Sequence, residues 1–259
     1  ADPTDSVAIG KMVARYNATI LFATPTFLRL YTLNKKLDPL MFASLRMVVA
    51  GAEKLKPEIR KAFKEKFGIG LLEGYGATEK SPVVSCNMPN ALDLDTMQVI
   101  VCNKEGTIGQ PIPGTLIKIV DPNTLECLGL NEDGLILVGG AQVMKGYFND
   151  PEKTKEAIVE IDGVRYYKTG DKGHIDEDGF LSIVDRYSRF AKIGGEMISL
   201  GQVEMLIDRI FGDELTSVVV AIEDDKKGEQ IVLLHNSQLS PQEIQKRIKE
   251  SPLIPLMQP

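Results

Sequence analysis

Residues 73–80 have the composition of a segment that could bind a ligand. They read Glu-Gly-Tyr-Gly-Ala-Thr-Glu-Lys and follow an apolar run at residues 69–72, which predicts a buried strand. Gly74 and Gly76 would let the backbone turn sharply and approach a ligand closely. Between them, Tyr75 offers a flat aromatic face. The segment could therefore stack on a base.

Two side chains with oxygen atoms follow the tyrosine. Thr78 could donate a hydrogen bond to a phosphate oxygen, and the carboxylate of Glu79 could hold magnesium, which prefers oxygen ligands. The same residues would also suit a turn that ends a strand and is capped by the threonine. Taken alone, the segment leaves these two interpretations open.

Strand and helix patterns alternate in the residues that precede this segment. Apolar runs at residues 18–24 and 45–50 predict buried strands, and Pro25 and Pro57 stand where proline favours the first turn of a helix. Such alternation implies a parallel sheet with helices packed on it. In these sheets, ligands bind beyond the carboxyl ends of the strands.

The predicted strand ends carry polar or glycine-containing segments. Gly51, Ala52 and Glu53 follow the second strand, and Thr24 ends the first. Because parallel strands end at one edge of a sheet, these residues should converge with residues 73–80. This convergence favours a ligand site over a capping turn.

From about residue 100 the sequence changes to short strands separated by turns. Residues 116–120, 135–138 and 164–184 predict a small antiparallel sheet or distorted barrel. Residues 167–171, Tyr-Lys-Thr-Gly-Asp, are typical of an acidic turn. The carboxylate of Asp171 could also accept both hydroxyls of a ribose.

The last part of the chain predicts a small α+β unit. Residues 185–204 carry basic residues before Gly194-Gly195, which indicates an exposed, mobile linker. An amphipathic helix, two strands divided by a charged turn at residues 223–229, and a final helix near residues 240–250 follow. The predicted α/β fold thus has a partial parallel sheet with flanking helices in residues 1–100, an antiparallel β-barrel-like region in residues 101–185 and an α+β domain in residues 186–259.

Composition excludes several classes of protein. The chain has 259 residues, is 43% hydrophobic and 25% charged, and carries a net charge of −6, which argues against a nucleic-acid binder. Its three widely spaced cysteines suit neither a disulfide framework nor a metal cluster, so a reducing compartment is expected. No apolar run is long enough to span a membrane and no signal peptide opens the chain. We therefore expect a cytoplasmic protein.

Four motifs in order resemble the adenylate-forming superfamily, which includes acyl-CoA synthetases, peptide-synthetase adenylation domains and luciferases. Residues 75–79 match its Y-G-x-T-E element, residues 134–154 resemble its barrel motif, residues 167–171 match Y-x-T-G-D, and residues 186–204 resemble its hinge and loop element. Each motif alone is only moderately specific. Their common order makes the resemblance specific, and it covers nearly the whole chain.

Residues 51–55, 72–76 and 190–197 are similar to one branch, the acyl-(acyl-carrier-protein) synthetase half of bifunctional 2-acylglycerophosphoethanolamine acyltransferase. This resemblance implies an ATP-dependent fatty acid ligase that forms acyl-AMP and transfers the acyl group to the phosphopantetheine thiol of acyl carrier protein, in support of lysophospholipid reacylation. It also implies a membrane-associated acyltransferase half and leaves open attachment of the full-length protein to the inner membrane. A medium- or long-chain acyl-CoA ligase, using coenzyme A, and a non-catalytic nucleotide- or carrier-binding fragment remain alternatives.

The resemblance also implies the cofactors ATP/AMP and Mg²⁺ and a set of site residues. Thr78 would contact phosphate and Glu79 would ligate magnesium, both as catalytic residues. The implied nucleotide and cofactor contacts are Tyr75 on the adenine, with Gly74 and Gly76 beside it; Gly51, Ala52 and Glu53 on the other side of the base; Asp171 on the ribose hydroxyls; Arg186 at the ribose and phosphate; and Lys192 and Gly195 on the hinge and loop element, with Gly195 lining the pantetheine tunnel.

Three features depart from the pattern of the superfamily. The phosphate-gripping loop, usually near T-S-G-T-T-G-x-P-K, is not found and would precede Ala1, and the expected lysine near the carboxyl terminus is not found after Lys249. At the hinge, near residues 186–189, Ser188 stands where relatives commonly have Asp or Lys. We therefore expect the C-terminal portion of a longer enzyme, with its small domain incomplete, and expect this portion alone to be inactive. The acyl chain length is not predictable from these residues.

Overall fold

A computed structural model describes residues 2–224, 228–251 and 253–259. The chain divides into two units: the first holds the residues up to Thr169 together with Gly173–Ile183, and the second holds Gly170–Lys172 and the residues from Val184 onward. The α-helices are α1 (Ser6–Tyr16), α2 (Pro25–Leu33), α3 (Pro57–Phe67), α4 (Pro151–Ala157), α5 (Leu200–Phe211) and α6 (Pro241–Lys249). The strands are β1 (Ile20–Ala23), β2 (Met47–Ala50), β3 (Leu71–Gly76), β4 (Val83–Cys86), β5 (Ala91–Leu92), β6 (Val99–Ile100), β7 (Gln110–Pro111), β8 (Thr115–Val120), β9 (Gly134–Gly140), β10 (Ile158–Ile161), β11 (Val164–Ile175), β12 (Leu181–Arg186), β13 (Phe190–Ile193), β14 (Glu196–Ser199), β15 (Ser217–Asp224) and β16 (Gly228–His235).

The first sheet has the strand order β1-β2-β3-β4-β7. Strands β1, β2 and β3 are parallel, whereas β4 and β7 continue the sheet in antiparallel pairing. Pro25 and Pro57 begin α2 and α3 as predicted, because a proline in the first helical turn forfeits no helical hydrogen bond. Gly68 ends α3 at φ +72°, a conformation that glycine adopts without steric cost.

The helices bury an aromatic cluster against the parallel strands. Phe42 and Phe63 are completely buried, and Phe67 packs on both, with ring centroids 4.9 Å from Phe42 and 4.7 Å from Phe63. Tyr31 meets Phe42 edge-on at 6.3 Å. This cluster holds α2 and α3 in place and so positions the strand ends.

The second sheet has the order β10-β11-β9-β8, with β12 also paired to β11. Its pairs β8–β9 and β10–β11 are antiparallel, and its core includes Ile136, Val138 and Leu181, so the predicted antiparallel region is confirmed. The structure corrects one detail, because residues 167–171 lie inside the continuous strand β11 and not in a turn. Gly170 adopts φ +73° there, which lets the strand continue through a left-handed residue.

In the second unit the strand order is β14-β13-β16-β15, and α5 and α6 contribute to its core. The mobile-linker prediction for residues 185–204 is wrong, because β13 and β14 form an antiparallel hairpin there. Gly194 and Gly195, at φ +58° and +91°, make its turn. Residues 225–227 of the predicted charged turn lie outside the described residues. In the described part of the chain, no helix combines the length and apolar character needed to cross a membrane.

Candidate functional site

The side chain of Glu53, in the loop after β2, is bonded to the first turn of α2, which follows β1. Its Oε2 accepts hydrogen bonds from the Thr26 backbone nitrogen at 3.2 Å and the Thr26 hydroxyl at 2.6 Å. The backbone nitrogen of Gly51 donates to the Ala23 carbonyl at 3.2 Å. Ala52, which stands between them, is exposed and has φ +68°, a left-handed conformation that costs an alanine energy.

The end of β2 lies directly against β3. A Cβ on Gly51 would stand 3.5 Å from the Gly74 carbonyl oxygen, and one on Gly74 would stand 3.3 Å from a methyl carbon of Val49 and 3.4 Å from Cys86 Sγ. The end of β2 therefore lies beside β3 at Gly74, and Glu53 links this edge of the sheet to the start of α2, which follows β1. The pKa of the Cys86 thiol is raised by burial, so this thiol stays protonated at neutral pH.

The glycines of the tyrosine segment serve strand packing and do not form the predicted sharp turn. Strand β3 continues to Gly76, with a change of register between Tyr75 and Gly76 where it pairs with β4. A Cβ on Gly76 would come within 2.0 Å of the Pro82 carbonyl oxygen, and Ala77 donates to that oxygen at 2.8 Å. The turn lies after the strand.

Thr78 and Glu79 occupy the short 3-10 helix Thr78–Lys80 that follows β3. Thr78 is exposed, and Ala77 precedes the helix without a side-chain cap, so the threonine is not a cap. Glu79 is half-buried, and its Oε1 accepts a hydrogen bond from the Tyr147 hydroxyl at 3.0 Å. Its carbonyl accepts from the Met144 backbone nitrogen at 2.9 Å. Residues just after β9 thus bond both to the side chain and to the backbone carbonyl of Glu79.

Tyr147 connects this carboxylate to a second phenol. Burial raises the pKa of Tyr147, and hydrogen bonds with Tyr167 and Glu79 raise it further. The phenol therefore stays protonated at neutral pH and can donate to Glu79. The sequence places Tyr147 in the barrel motif but gives no sign of this role, because its partner lies 68 residues away.

Lys80 is a second residue that the sequence did not single out. It is only 1% exposed, and its ammonium donates to the Tyr75 hydroxyl at 2.9 Å. The Nζ atom lies 4.3 Å from the Tyr75 ring centroid and 5.3 Å from that of Tyr167. Tyr75, predicted to meet a base, is thus held at its hydroxyl end.

The remaining predicted residues belong to the second unit. The side chain of Asp171 is 5% exposed, and its Oδ1 accepts from Arg186 Nε at 2.9 Å. Arg186 is 67% exposed, so most of its guanidinium remains open to solvent. Lys192 and Gly195 are exposed on the β13–β14 hairpin, where the backbone nitrogen of Lys192 donates to the carboxylate of Glu229. The structure therefore pairs Asp171 with Arg186 and keeps Lys192 and Gly195 on their own hairpin.

The residues around Glu79 suit a loosely held metal ion. Among the described residues there is no group of three or more His, Cys, Asp or Glu side chains placed to hold a metal. A single carboxylate with a fixed orientation fits magnesium, which keeps several waters and binds through one or two carboxylates plus phosphate oxygens. Glu79 therefore fits the predicted magnesium contact.

The chain is similar, in sequence and in structure, to enzymes that bind adenine nucleotides or form coenzyme A thioesters. The AMP-binding enzyme family matches residues 1–148. The rice (Oryza sativa subsp. japonica) 4-coumarate–CoA ligase 3 is 35% identical over 248 residues, which cover 93% of this chain and 43% of the ligase. ATP-bound MatB from Rhodopseudomonas palustris superposes with a TM-score of 0.82 at 26% identity, over 98% of this chain and 48% of MatB.

A further solved structure is the O-succinylbenzoate coenzyme A synthetase MenE of Bacillus subtilis in complex with AMP. Its TM-score is 0.76 at 26% identity, and the match covers 98% of this chain and 49% of MenE. The chain spans less than half the length of these relatives. Because the family match covers more than half of the chain and includes the strand ends described above, the chain belongs to the AMP-binding enzyme family, within the adenylate-forming superfamily.

Proposed function

We propose that this chain supplies the C-terminal part of an ATP-dependent ligase that activates a carboxylic acid as acyl-AMP and then forms a thioester. The observation that carries the proposal lies at the edge where the parallel strands end: Gly51 lies beside Gly74, the residue before Tyr75. Glu53 bonds to the first turn of α2 at the same edge, and Glu79 lies in the short 3-10 helix after β3. Ligands of α/β sheets bind at such edges. The solved relatives named above hold ATP or AMP.

Each group at this edge has a proposed task. Tyr75 stacks on adenine, and the backbone of Gly51, Ala52 and Glu53 lines the other side of the base. Thr78, which is exposed, donates to a phosphate oxygen. Glu79 would hold magnesium, whose charge offsets the negative charge that develops on the phosphate oxygens during acyl-AMP formation.

The second unit contributes a different set of contacts. The nearly buried carboxylate of Asp171 accepts the ribose hydroxyls, because a carboxylate has acceptor sites for both. Arg186, which is largely exposed, reaches the ribose and phosphate region. Gly195 lines the pantetheine tunnel from its hairpin, and Lys192 on the same hairpin is a further cofactor contact. The proposed hinge at residues 186–189 includes the short 3-10 helix Tyr187–Arg189.

Two combinations of carboxylic acid and thiol acceptor are candidates. The similarity of residues 51–55, 72–76 and 190–197 to the acyl carrier protein branch favours a fatty acid and the phosphopantetheine thiol of acyl carrier protein, in lysophospholipid reacylation. Coenzyme A is the second candidate acceptor, because relatives covering most of this chain are named as coenzyme A ligases of 4-coumarate.

Binding and turnover test the proposal separately. Calorimetry on this chain should detect ATP and AMP, with loss of affinity in Asp171→Ala. Turnover is measured on the full-length gene product as acid-dependent exchange between ATP and pyrophosphate, across fatty acids and 4-coumarate. AMP release with holo acyl carrier protein is then compared with release with free coenzyme A. Absence of exchange with every acid in the full-length protein would refute the ligase proposal.

A further inference from the structure

Lys80 is a buried cation in a place where a cation is costly. Its side chain is 1% exposed, and moving an ammonium group out of water is unfavourable unless polar groups compensate for the lost hydration. The Tyr75 hydroxyl supplies one acceptor at 2.9 Å. The rings of Tyr75 and Tyr167, with centroids 4.3 and 5.3 Å from Nζ, add electrostatic attraction.

These contacts restrict the Tyr75 ring. A tyrosine near the end of a strand can rotate about its two side-chain torsions unless something holds its far end. The Lys80 ammonium holds the hydroxyl end of this ring and lies beside a second ring from β11. The position of Tyr75 therefore depends on its packing against the core of the second sheet and, at the hydroxyl end, on a lysine located five residues further along the chain.

The same cluster extends to the carboxylate of Glu79. Tyr167 is hydrogen-bonded to Tyr147, and Tyr147 donates to Glu79 Oε1 at 3.0 Å. Lys80 and Glu79 are neighbours in the short 3-10 helix after β3, with Lys80 in the core and the Glu79 carboxylate bound to Tyr147. The aromatic cluster thus lies between the ring proposed for the base and the carboxylate proposed for the metal.

We propose that Lys80 is a positioning residue for nucleotide recognition, acting through the Tyr75 hydroxyl to fix the ring on which adenine stacks. The inference rests on the proposed function and adds a residue to it. A ring fixed before binding loses less entropy when a base stacks on it, so the contribution of Lys80 should depend on the base. A lysine that only completed the core would affect every nucleotide equally.

The test measures nucleotide affinity in Lys80→Met, Lys80→Arg, Tyr75→Phe and the Lys80→Met/Tyr75→Phe double variant. Lys80→Met should weaken AMP binding about fivefold, the lower end of the range for one base–aromatic stack. Binding of CMP, whose smaller base stacks less, should weaken less. The preference for AMP over CMP therefore falls. Lys80→Arg, which can still donate to the hydroxyl, should restore part of the loss.

Two further readouts separate positioning from packing. Tyr75→Phe keeps the ring and removes the hydroxyl, so adding Lys80→Met to it should cost less affinity than Lys80→Met costs alone. The chain has 7 tyrosines and no tryptophan, so its intrinsic fluorescence reports on tyrosine. AMP should quench the fluorescence of the unsubstituted chain more than that of Tyr75→Phe, and the difference is the quenching due to Tyr75. This difference should be smaller when both are compared in the Lys80→Met background.

The matched control is Lys66→Met. The ammonium of Lys66 donates to the carbonyls of Tyr31, Thr32 and Asn34, so this variant removes a well-bonded lysine whose hydrogen bonds lie at the end of α2. It should lower thermal stability without changing the AMP/CMP preference. The variants are compared in this chain or, if it binds no AMP alone, in the full-length protein. If neither binds AMP, the proposed function fails and the inference fails with it. If AMP binds and Lys80→Met leaves the AMP/CMP preference unchanged, only the inference is overturned.

Discussion

The hydroxyl of Tyr147 lies 3.0 Å from Oε1 of Glu79 and donates a hydrogen bond to it. This bond joins the segment after β9 to the short 3-10 helix after β3, two parts of the first unit that are far apart in sequence. A carboxylate with one oxygen held in this way has a fixed orientation. Its other oxygen can then face a ligand without further loss of side-chain freedom.

Replacement of Tyr147 by phenylalanine should reduce magnesium-dependent ATP binding. The ring is retained while the donor to Glu79 is lost, and outer-shell partners of metal ligands are typically worth about 10- to 100-fold in metal affinity. We expect an effect near tenfold, because magnesium would gain most of its ligands from phosphate and water. The measurement is the affinity for ATP as a function of magnesium concentration.

Tyr31→Phe provides the matched control for that experiment. Its hydroxyl donates to the Pro3 carbonyl at 3.0 Å, so the substitution removes a comparable bond away from the strand ends. It should leave the magnesium dependence unchanged. Equal magnesium dependence in Tyr147→Phe and the unsubstituted chain would contradict the orienting role of Tyr147.

Asp171→Asn should cost affinity only for ligands with ribose hydroxyls. The amide keeps the shape of the side chain and replaces one acceptor oxygen with a donor. We expect about tenfold weaker AMP binding, since a hydrogen bond to a charged group is worth about 1.5–3 kcal/mol. Affinity for the 2′,3′-dideoxy analogue of AMP should not change, because that ligand has no hydroxyl to lose.

A control for this variant is Glu214→Gln in the same unit. Glu214 pairs with Arg247 at 2.9 Å, so the substitution also removes a carboxylate bonded to an arginine. Glu214→Gln should change the affinity neither for AMP nor for its 2′,3′-dideoxy analogue. Parallel losses for AMP and its dideoxy analogue in Asp171→Asn would instead indicate a structural role for the carboxylate.

Phe63→Ala should destabilise the first unit strongly. Phe63 is fully buried against Phe42 and Phe67, and truncation of a buried phenylalanine typically costs about 3–5 kcal/mol. Phe22, which is 70% exposed, is the control, and Phe22→Ala should change the free energy of unfolding by less than about 0.5 kcal/mol. Urea unfolding followed by circular dichroism compares the two. Similar midpoints for both variants would exclude Phe63 as a determinant of stability.

Local signals in the sequence predict much of this fold. Proline at the starts of α2 and α3, glycine after α3 and apolar runs at β1 and β2 act over a few residues, so they are readable without tertiary information. The interpretation of residues 185–204 failed for the opposite reason. Its basic and glycine residues suggest a solvated loop, but alternate residues such as Ala191, Ile193 and Ile198 are buried in the second unit and convert the segment into a hairpin.

The candidate site was predictable only in its motif residues. Sequence motifs mark Tyr75, Glu79 and Asp171. No motif marks Lys80, which has the sequence context of an ordinary surface charge beside a carboxylate. The Tyr167 ring, 5.3 Å from the Lys80 ammonium, comes from a strand that begins more than 80 residues later. The bond between Tyr147 and Glu79 has the same long-range origin. Contacts of this kind depend on sheet topology, which local patterns do not encode.

A pH-dependent contribution to stability is expected from Asp176, whose Oδ2 accepts from Lys104 Nζ at 2.6 Å. Burial acts to raise the pKa of Asp176, but the Lys104 bond and backbone donors from Phe180 and Asp178 outweigh it and lower the pKa. The native state therefore binds fewer protons than the unfolded chain near the ordinary value of 3.8. The resulting stability is present above that pH and is lost as the pH falls through the lowered value.

Lys104→Met should consequently lower the urea midpoint at pH 7, and the difference from the unsubstituted chain should shrink below pH 4. Asp176→Asn removes one of two carboxylates that pair with Lys104, so adding Lys104→Met to it should produce a smaller pH-dependent difference, which comes from Asp178 at 3.5 Å. Lys61→Met serves as the control, since Lys61 and Glu65 form an exposed pair at 3.8 Å that contributes little. A midpoint difference for Lys104→Met that stays constant from pH 7 to pH 3 would contradict the assignment, because it would mean that Lys104 acts independently of the charge on Asp176.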